Sequence, residues 1–312
     1  MGRSRIVSSS GCAVAIDVGG TKISACLIDA AGLPRGRFDV QTDRRGGDEV
    51  VHQVIALAEQ AAKGAHVLGV GVAVPAVVDR DRRVVTWAPN IRGWRNVSLA
   101  ARLENALSVP AVLEYDGQAS AVGEQWVGAA RGVNNVVMLV IGTGIGGGII
   151  CDGRVYRGSD GVAGAIGWLS SGPSRARARG RRRVPGLESV VAGPAIARRG
   201  QRRRAQDVLA AAASGNARAR SVIEASADLL GRAVADLVSL LNPDLVVLGG
   251  GVGAGLGSRL LPRIRATVRD RAQPISAKRV RVVVSALGTD AGLFGAARAV
   301  FGDSSLGKGV EA

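Results

Sequence analysis

Glycine-rich turns that follow directly on short apolar strands are the feature that most constrains the fold of this 312-residue chain. Glycine lets backbone N–H groups come close to an anion, and a neighbouring threonine hydroxyl adds a further donor. One such turn is equally well explained as an ordinary tight turn, but three of them after three strands predict a polyphosphate ligand. The turns are Gly19-Gly20-Thr21, residues 142–148 and residues 249–251.

The apolar periodicity around these turns predicts an α/β chain made of two similar halves. Each half opens with a strand, a glycine turn and a second strand, at 13–16 and 23–28 in the first half and at 136–141 and 149–151 in the second. Further helices are predicted at 48–62, 99–107, 118–127, 217–241, 256–270 and 290–299, and further strands at 67–74, 111–114, 154–156, 244–248 and 280–284.

The two halves predict two domains with a central cleft between them. We expect a smaller N-terminal α/β domain at residues 1–115, completed by a C-terminal helix at about 290–312, and a larger C-terminal α/β domain at 116–289. A shift of composition towards arginine indicates an inserted loop at 170–183 in the larger domain.

The formal net charge of +16 first suggests a nucleic-acid partner. Most of the excess is local, because eleven arginines fall in two clusters within 175–183 and 198–204. Aromatic residues make up only 3% of the chain, which is poor material for base stacking. We therefore expect no nucleic-acid partner. The clusters are interpreted either as solvated loops or as a rim that attracts anions beside a phosphate site.

Cysteine and histidine are too few for the sites that they commonly build. The three cysteines lie far apart without a CxxC pair, which excludes a disulfide scaffold and argues against a cysteine-based zinc site. With only two histidines, a histidine-centred triad is nearly excluded. The sequence also lacks an apolar run of about 18 residues and a signal-peptide pattern at its start. We expect a cytoplasmic protein without a membrane partner.

One glycine pattern is misleading. Gly142-x-Gly144-x-x-Gly147 formally fits the dinucleotide-binding fingerprint, but that motif must open a helix. Here the chain continues through an apolar strand into the Asp152-Gly153 hairpin turn, so we reject a dinucleotide site.

With these motifs, the chain resembles the ROK family of repressors, open reading frames and kinases, within the actin/hexokinase-like fold. The segment from Asp17 to Lys22 is similar to the family's first phosphate motif, and 142–148 followed by 152–164 is similar to its second. ROK repressors carry an N-terminal helix-turn-helix domain, whereas here the first motif begins almost at once. The resemblance therefore points to the kinase branch.

The remaining family motifs are collinear with this chain from about residue 13 to residue 299. They are the sugar-side loops at 72–75 and 88–94, the segment after the zinc motif at 186–189, and the adenosine-side motif at 248–251.

The resemblance implies a two-domain actin/hexokinase-like (ribonuclease H-like) fold and a kinase that uses ATP and Mg²⁺ to phosphorylate a sugar hydroxyl. It makes Asp116 the general base that takes the hydroxyl proton, and it places Asp17 near the metal and the phosphates. The alternative for Asp116 is a helix N-cap before Gln118. The implied cofactor-binding residues are Asp17, Gly19, Gly20, Thr21, Lys22, Gly142, Thr143, Gly144, Gly249, Gly250 and Gly251.

The chain departs from the family pattern on the sugar side. Tyr115 replaces the family's asparagine, while Ala165 and Trp168 replace its glutamate and histidine. The cysteine-rich zinc loop is replaced by 170–183, which contains no cysteine, so zinc is not expected. Trp168 is interpreted either as an apolar stacking wall or as a filler of the vacated space. The implied substrate-binding residues are Asn90, Tyr115, Asp116, Ala165, Trp168 and Glu188.

Changed polar groups change the acceptor, because a site built to bond hydroxyls discriminates by leaving its own groups unpaired. We therefore expect an altered sugar, an amino sugar or a cyclitol as the small-molecule substrate, and the resemblance implies a homodimer. Two alternatives stay open. One is a non-catalytic nucleotide- or sugar-binding relative, and the other is a sugar kinase that uses inorganic polyphosphate.

Overall fold

The computed structural model describes residues 11–81, 83–170 and 186–302. By their internal contacts these residues form two compact units. The first unit ends at Tyr115 and also takes in the segment that starts at Leu293, while the second runs from Asp116 to Gly292. The arginine-rich loop predicted at 170–183 lies outside the described residues except for Ser170, as does the chain after residue 302.

The first unit is built on a mixed sheet, a smaller antiparallel sheet and two helices that begin and end within it. The main sheet has the strand order β3-β2-β1-β4-β8, and the smaller one has the order β5-β6-β7. The strands are β1 (Cys12–Val18), β2 (Lys22–Asp29), β3 (Pro34–Gln41), β4 (Val67–Val74), β5 (Val77–Asp79), β6 (Val84–Trp87), β7 (Arg95–Val97) and β8 (Ala111–Tyr115), and the helices are α1 (Gly47–Ala62) and α2 (Leu99–Leu107).

The core of the first unit forms around β1 and β4, in which residues 13–16 and 69–74 are all apolar and buried. Such continuous apolar runs are typical of strands that are covered on both faces. Helix α1 adds Val50, Val54 and Ala58 at helical spacing, and these side chains are fully buried in the same cluster.

The second unit contains a second mixed sheet with the strand order β11-β10-β9-β12-β13. Its strands are β9 (Val136–Ile141), β10 (Ile145–Cys151), β11 (Arg154–Tyr156), β12 (Leu245–Gly249) and β13 (Arg281–Val284). Its helices are α3 (Asp116–Val127), α4 (Glu188–Val191), α5 (Gly193–Arg199), α6 (Ala205–Ala213), α7 (Ala217–Leu241), α8 (Gly250–Arg271) and α9 (Pro274–Arg279), while α10 (Ala291–Val300) starts here and continues into the first unit.

The main sheets of the two units repeat one topology. In each sheet the first three strands of the unit pair antiparallel, and the first strand then pairs in parallel with a later strand, which pairs in parallel with the last one. The strand, glycine turn and strand predicted at the start of each half are confirmed as the hairpins β1–β2 and β9–β10.

The second sheet is covered on both faces, because alternate side chains of a strand point to opposite sides. Leu139 and Leu248 belong to the cluster that holds the apolar faces of α7 and α8. Met138 and Val247, one residue away in each strand, pack with Ala121 of α3. The sheet is thereby held between α3 and the α7–α8 pair.

Most predicted elements are confirmed, and the main differences lie at glycines. The strand predicted at 149–151 begins at Ile145, because Gly146, Gly147 and Gly148 pair with β9. The helix predicted at 256–270 begins at Gly250, because the chain after β12 enters a helix without an intervening loop. The helix predicted at 118–127 begins at Asp116, so this residue is the first of α3 and not an N-cap before Gln118.

Several elements gave no usable sequence signal. Most of them are short or carry mainly polar side chains, so that hydrophobic periodicity does not identify them. They are β3, β5, β6, β7, α4, α5, α6 and α9. Within 11–81, 83–170 and 186–302, no helix combines the length and hydrophobicity that a bilayer crossing needs.

Glu104 of α2 supports a pH-dependent prediction for the first unit. Its carboxylate accepts a hydrogen bond from Arg83 and another, of 3.0 Å, from the N–H of Ala111 at the start of β8. These partners, Arg83 first, hold the pKa of Glu104 below its ordinary value. Since the group is partly exposed, we expect Glu104→Gln to lower the free energy of unfolding at pH 7 by about 1 kcal/mol.

The sign of the pH dependence follows from the lowered pKa of Glu104. The stabilisation is fully present above the pKa of the unfolded chain and is lost as the pH falls through the folded value. Urea denaturation should show the difference between wild type and Glu104→Gln shrinking as the pH falls from about 5 towards 3. A difference that stays constant over this interval would contradict the assignment.

Candidate functional site

The first glycine turn joins β1 to β2 in the first unit. The N–H of Gly19 donates to the carbonyl of Lys22 over 2.8 Å and closes the turn. The hydroxyl of Thr42 donates to the carbonyl of Gly19 over 2.7 Å, so the chain that follows β3 supports the turn from the side. Gly20 and Thr21 are exposed and accessible to a ligand.

Other predicted site residues of the first unit lie around this turn. A methyl group on Gly20 would stand 3.2 Å from Cβ of Asn90, so the predicted phosphate turn and the predicted sugar-side loop are neighbours. The register pairs Asp17 with Ala73, and Val74 with Tyr115. The parallel strands β1, β4 and β8 therefore bring Asp17 and Tyr115 to the same edge of the sheet.

Lys22 makes an ion pair of 3.3 Å with Asp39 of β3. The pKa of Asp39 lies well below its ordinary value, mainly because Arg37 donates to the carboxylate, with Ser24 and Lys22 adding to the effect. A phosphate contact from Lys22 would compete with this pair. Both partners are largely exposed, and exposed ion pairs are weak, so the competition costs little.

The second and third glycine turns meet in the second unit. The Gly142 turn joins β9 to β10, and its Gly142 N–H donates to the carbonyl of Gly144 over 2.9 Å. Gly250 opens α8 with a φ of 73°, and a methyl group there would stand 2.5 Å from the carbonyl oxygen of Ile141. Only glycine fits such a position, and its small size lets α8 begin against the residue before Gly142.

This arrangement is suited to an anion. The first turn of a helix presents N–H groups without an intrahelical acceptor and carries the positive end of the helix dipole. Because Gly250 packs on Ile141, these N–H groups of the 22-residue α8 lie beside the backbone of the Gly142 turn. The N–H of Gly193, at the start of α5, also donates to the carbonyl of Gly142 over 2.8 Å.

Gly193 is a supporting residue that the sequence reasoning missed. The signal was present as Gly193-Pro194, because proline in the first turn is typical of a helix start. It was hidden because α5 is only 7 residues long and its periodicity is weak.

Asp116 is the first residue of α3. Its Oδ1 accepts a hydrogen bond of 2.7 Å from the N–H of Gly117, and its carbonyl accepts one of 2.8 Å from the hydroxyl of Ser120. A methyl group on Gly117 would stand 2.1 Å from the carbonyl oxygen of Gly147, so the backbone of α3 rests directly on β10. Asp116 is thus held on the strand that follows the Gly142 turn, at a helix end that favours negative charge.

Gln118 is a second residue that the sequence reasoning did not identify as functional. Its buried side chain donates to the carbonyl of Gly161 over 3.0 Å and accepts from Arg157 over 2.8 Å. These bonds fix the loop that follows β11 against α3. No local sequence pattern predicts these bonds, because the partners lie about forty residues from Gln118 in the chain.

The predicted acceptor-side residues of the second unit are Ala165, Trp168 and Glu188. Ala165 precedes a short 3-10 helix over Ile166–Trp168. The Oε2 of Glu188 accepts a hydrogen bond of 2.8 Å from the N–H of Ile145, which directly follows the Gly142 turn. Trp168 is 66% exposed, which favours the stacking wall over the filler of a vacated space.

A nucleotide-bound magnesium ion would fit the donor set. Within 11–81, 83–170 and 186–302, no group of three or more histidine, cysteine, aspartate or glutamate residues could hold a metal by itself. Magnesium bound with a nucleotide needs only one or two carboxylates, because phosphate oxygens and waters complete its coordination. The carboxylate of Asp17, at the sheet edge beside the first glycine turn, is a donor of the right type.

Comparison with known proteins finds a matching family and similar kinases. A model described as ROK family matches residues 13–302. The chain is 31% identical over 307 residues to a glucokinase of Halalkalibacterium halodurans, covering 90% of this chain and 92% of that one. It is 29% identical to an N-acetylmannosamine kinase of Salmonella typhi, with coverages of 93% and 99%.

A solved structure is similar along nearly its whole length. It is a ROK family glucokinase from Streptomyces griseus in complex with glucose and AMPPNP. The two chains are 30% identical, the match covers 93% of this chain and 99% of that one, and the TM-score is 0.82.

Gly250 provides a test of the packing that joins the second and third glycine turns. We expect Gly250→Ala to lower the free energy of unfolding by about 3 kcal/mol, since it adds a backbone clash to the strain of a positive φ. Gly215→Ala is the matched control, because Gly215 has a φ of 90° and open space around its Cα. That variant should cost only about 1 kcal/mol. Equal losses in urea denaturation would contradict the close approach.

Proposed function

The chain belongs to the ROK family and has the actin/hexokinase-like fold, and on this premise we propose that it is an ATP-dependent kinase of a hydroxyl group on a sugar, an amino sugar or a cyclitol. One observation carries the proposal. The second and third glycine turns meet at the N-terminus of α8, in the unit whose first helix begins with Asp116.

The donor side of the proposal rests on the glycine turns. Backbone N–H groups of Gly142, Thr143 and Gly144 together with the start of α8 would bind phosphate oxygens of ATP. By the family resemblance, the same segment, Gly249 to Gly251, would also border the adenosine end of the nucleotide. Within the first unit, the turn from Gly19 to Lys22 is the candidate phosphate-binding turn.

In the proposed reaction, Asp116 is the general base that the family resemblance implies. Its carboxylate would take the proton of the acceptor hydroxyl while the hydroxyl oxygen forms a bond to the γ-phosphorus. The bond between the γ-phosphorus and the bridging oxygen breaks, and ADP leaves with that electron pair. The hydrogen bond from the Gly117 N–H and the N-terminal end of α3 stabilise the carboxylate in its charged form until it accepts the proton.

Magnesium would be held by Asp17 and the nucleotide, and when bound it neutralises the charge of the phosphates. Asp17 and Lys22, both next to the first glycine turn, would orient the phosphate chain. No other carboxylate is assigned to the metal.

The acceptor side supports a substrate other than plain glucose. Asn90 and Glu188 retain hydroxyl-bonding groups, and one oxygen of Glu188 is already committed to the N–H of Ile145. Ala165 offers no polar side chain, and Trp168 offers an exposed aromatic face. Such a face packs on the apolar side of a ring, while fewer side-chain donors and acceptors remain for its hydroxyls. Amino sugars and cyclitols therefore stand beside hexoses as candidates.

The proposal predicts acceptor-dependent release of ADP from Mg²⁺-ATP. A coupled assay across hexoses, amino sugars and cyclitols should show turnover with one class of acceptor and little with the rest. Because Ala165 and Trp168 leave fewer side-chain partners for the hydroxyls of glucose, we expect glucose not to be the best acceptor.

The same assay separates the alternatives. Turnover with inorganic polyphosphate in place of ATP, with a steep dependence on ionic strength, would identify a polyphosphate-using kinase. Confirmed nucleotide binding with no turnover across the panel would contradict the proposal and favour a non-catalytic relative.

Asp116→Asn tests the base. We expect the turnover number to fall by about 10²–10⁴, because the amide cannot accept the hydroxyl proton, with little change in nucleotide affinity. Asp236→Asn on the exposed side of α7 is the matched control and should behave as wild type. An unchanged rate in Asp116→Asn would remove this residue from the mechanism.

A further inference from the structure

Glu124 is a fully buried carboxylate near the C-terminal end of α3, outside the groups assigned to the reaction. It accepts hydrogen bonds from the hydroxyl of Ser285 and from the N–H groups of Ala286 and Leu287, the latter two at 3.3 and 3.0 Å. A further bond of 2.6 Å comes from the N–H of Ala129, just after its own helix. The side chain therefore ties α3 to the segment that follows β13.

The carboxylate of Glu124 orients the segment that it bonds. Burying an ionised carboxylate is costly, and an apolar side chain of similar volume would fill the same space without that cost. What the carboxylate adds is a set of oriented acceptors for the donors of 285–287. Its bonds thus define where that segment lies relative to α3.

The segment held by Glu124 lies against the third glycine turn. The N–H of Ser285 donates to the carbonyl of Leu248 over 2.9 Å. A methyl group on Gly249 would stand 3.2 Å from Cβ of Ser285. The hydroxyl of Ser285 also accepts a hydrogen bond of 2.7 Å from the N–H of Gly288. Ser285 is therefore the link between Glu124 and the start of α8.

The other end of α3 carries Asp116. Glu124 lies eight positions further along the helix, a rise of about 12 Å. Close packing of Gly117 on Gly147 fixes the Asp116 end on β10. One rigid helix thus connects the proposed base with the support of the proposed nucleotide turn.

We propose that Glu124 is a positioning residue that sets the Gly249–Gly250–Gly251 turn relative to the helix carrying Asp116. This inference rests on the proposed function for its kinetic consequence. The predicted loosening of the backbone at residues 249–252 and 285–288 follows from the structure alone.

The test is Glu124→Gln in the full chain, with Ser226→Ala as the matched control. Ser226 of α7 is also fully buried in the second unit, and its hydroxyl donates to the carbonyl of Val222 and accepts from Arg199, so its hydrogen bonds lie outside 285–288. The glutamine keeps the size of the side chain but turns an N–H donor towards N–H donors. We expect hydrogen exchange in 249–252 and 285–288 to quicken about tenfold, the Kd for AMPPNP to rise about tenfold, and the KM for the acceptor to stay constant. Ser226→Ala should change none of these.

Two outcomes would overturn the proposal for Glu124. Faster exchange confined to residues 128–130, with unchanged AMPPNP affinity, would show that Glu124 only closes the end of its own helix and would overturn the proposal. Equal effects of Glu124→Gln and Ser226→Ala would do the same. If Glu124→Gln does not fold, Ser285→Ala breaks the same link and is held to the same readouts. A wild-type protein without turnover would defeat the proposed function, while the exchange data would still decide the inference.

Discussion

Direct backbone packing at two glycines underlies the second unit. Gly250 lets α8 begin against Ile141, and Gly117 lets α3 rest on Gly147, at separations that leave no room for a side chain. A helix start and a helix carrying a carboxylate are therefore both seated on the hairpin β9–β10. The phosphate site that we propose depends on this packing, because N–H groups act on a ligand only where the backbone itself reaches it.

The repeated sheet topology explains why the chemistry gathers where it does. In each unit a hairpin is followed by parallel strands, so the turn of the hairpin lies at the same edge as the carboxyl ends of those strands. In the first unit this edge holds Asp17 and Tyr115. In the second it holds the Gly142 turn and Gly249. Ligand sites of α/β sheets commonly form at this edge, because the loops and helix ends there are free to vary without disturbing the core.

The proposed acceptor side offers fewer polar side chains than the family pattern that the sequence resembles. Glu188 accepts a hydrogen bond from the N–H of Ile145 and is thereby tied to the strand that follows the Gly142 turn. At positions 165 and 168, where the resemblance implies a glutamate and a histidine, this chain has alanine and an exposed tryptophan. Discrimination between sugars rests on paired hydroxyls, and replacing those partners alters selectivity without disturbing the phosphate turns.

Local patterns in the sequence determined the strand at 67–74, the helices at 99–107 and 217–241 and the two glycine hairpins, because hydrophobic period and turn chemistry act within a few residues. Motif resemblance then identified the family and made Asp116 the candidate general base. Tertiary structure alone decided that α8 starts against Ile141, that Gly193 bonds Gly142, and that Glu124 holds Ser285 from 161 residues away. A hydrogen bond between distant segments leaves no local periodicity, so it becomes visible only when the sheet brings its partners together.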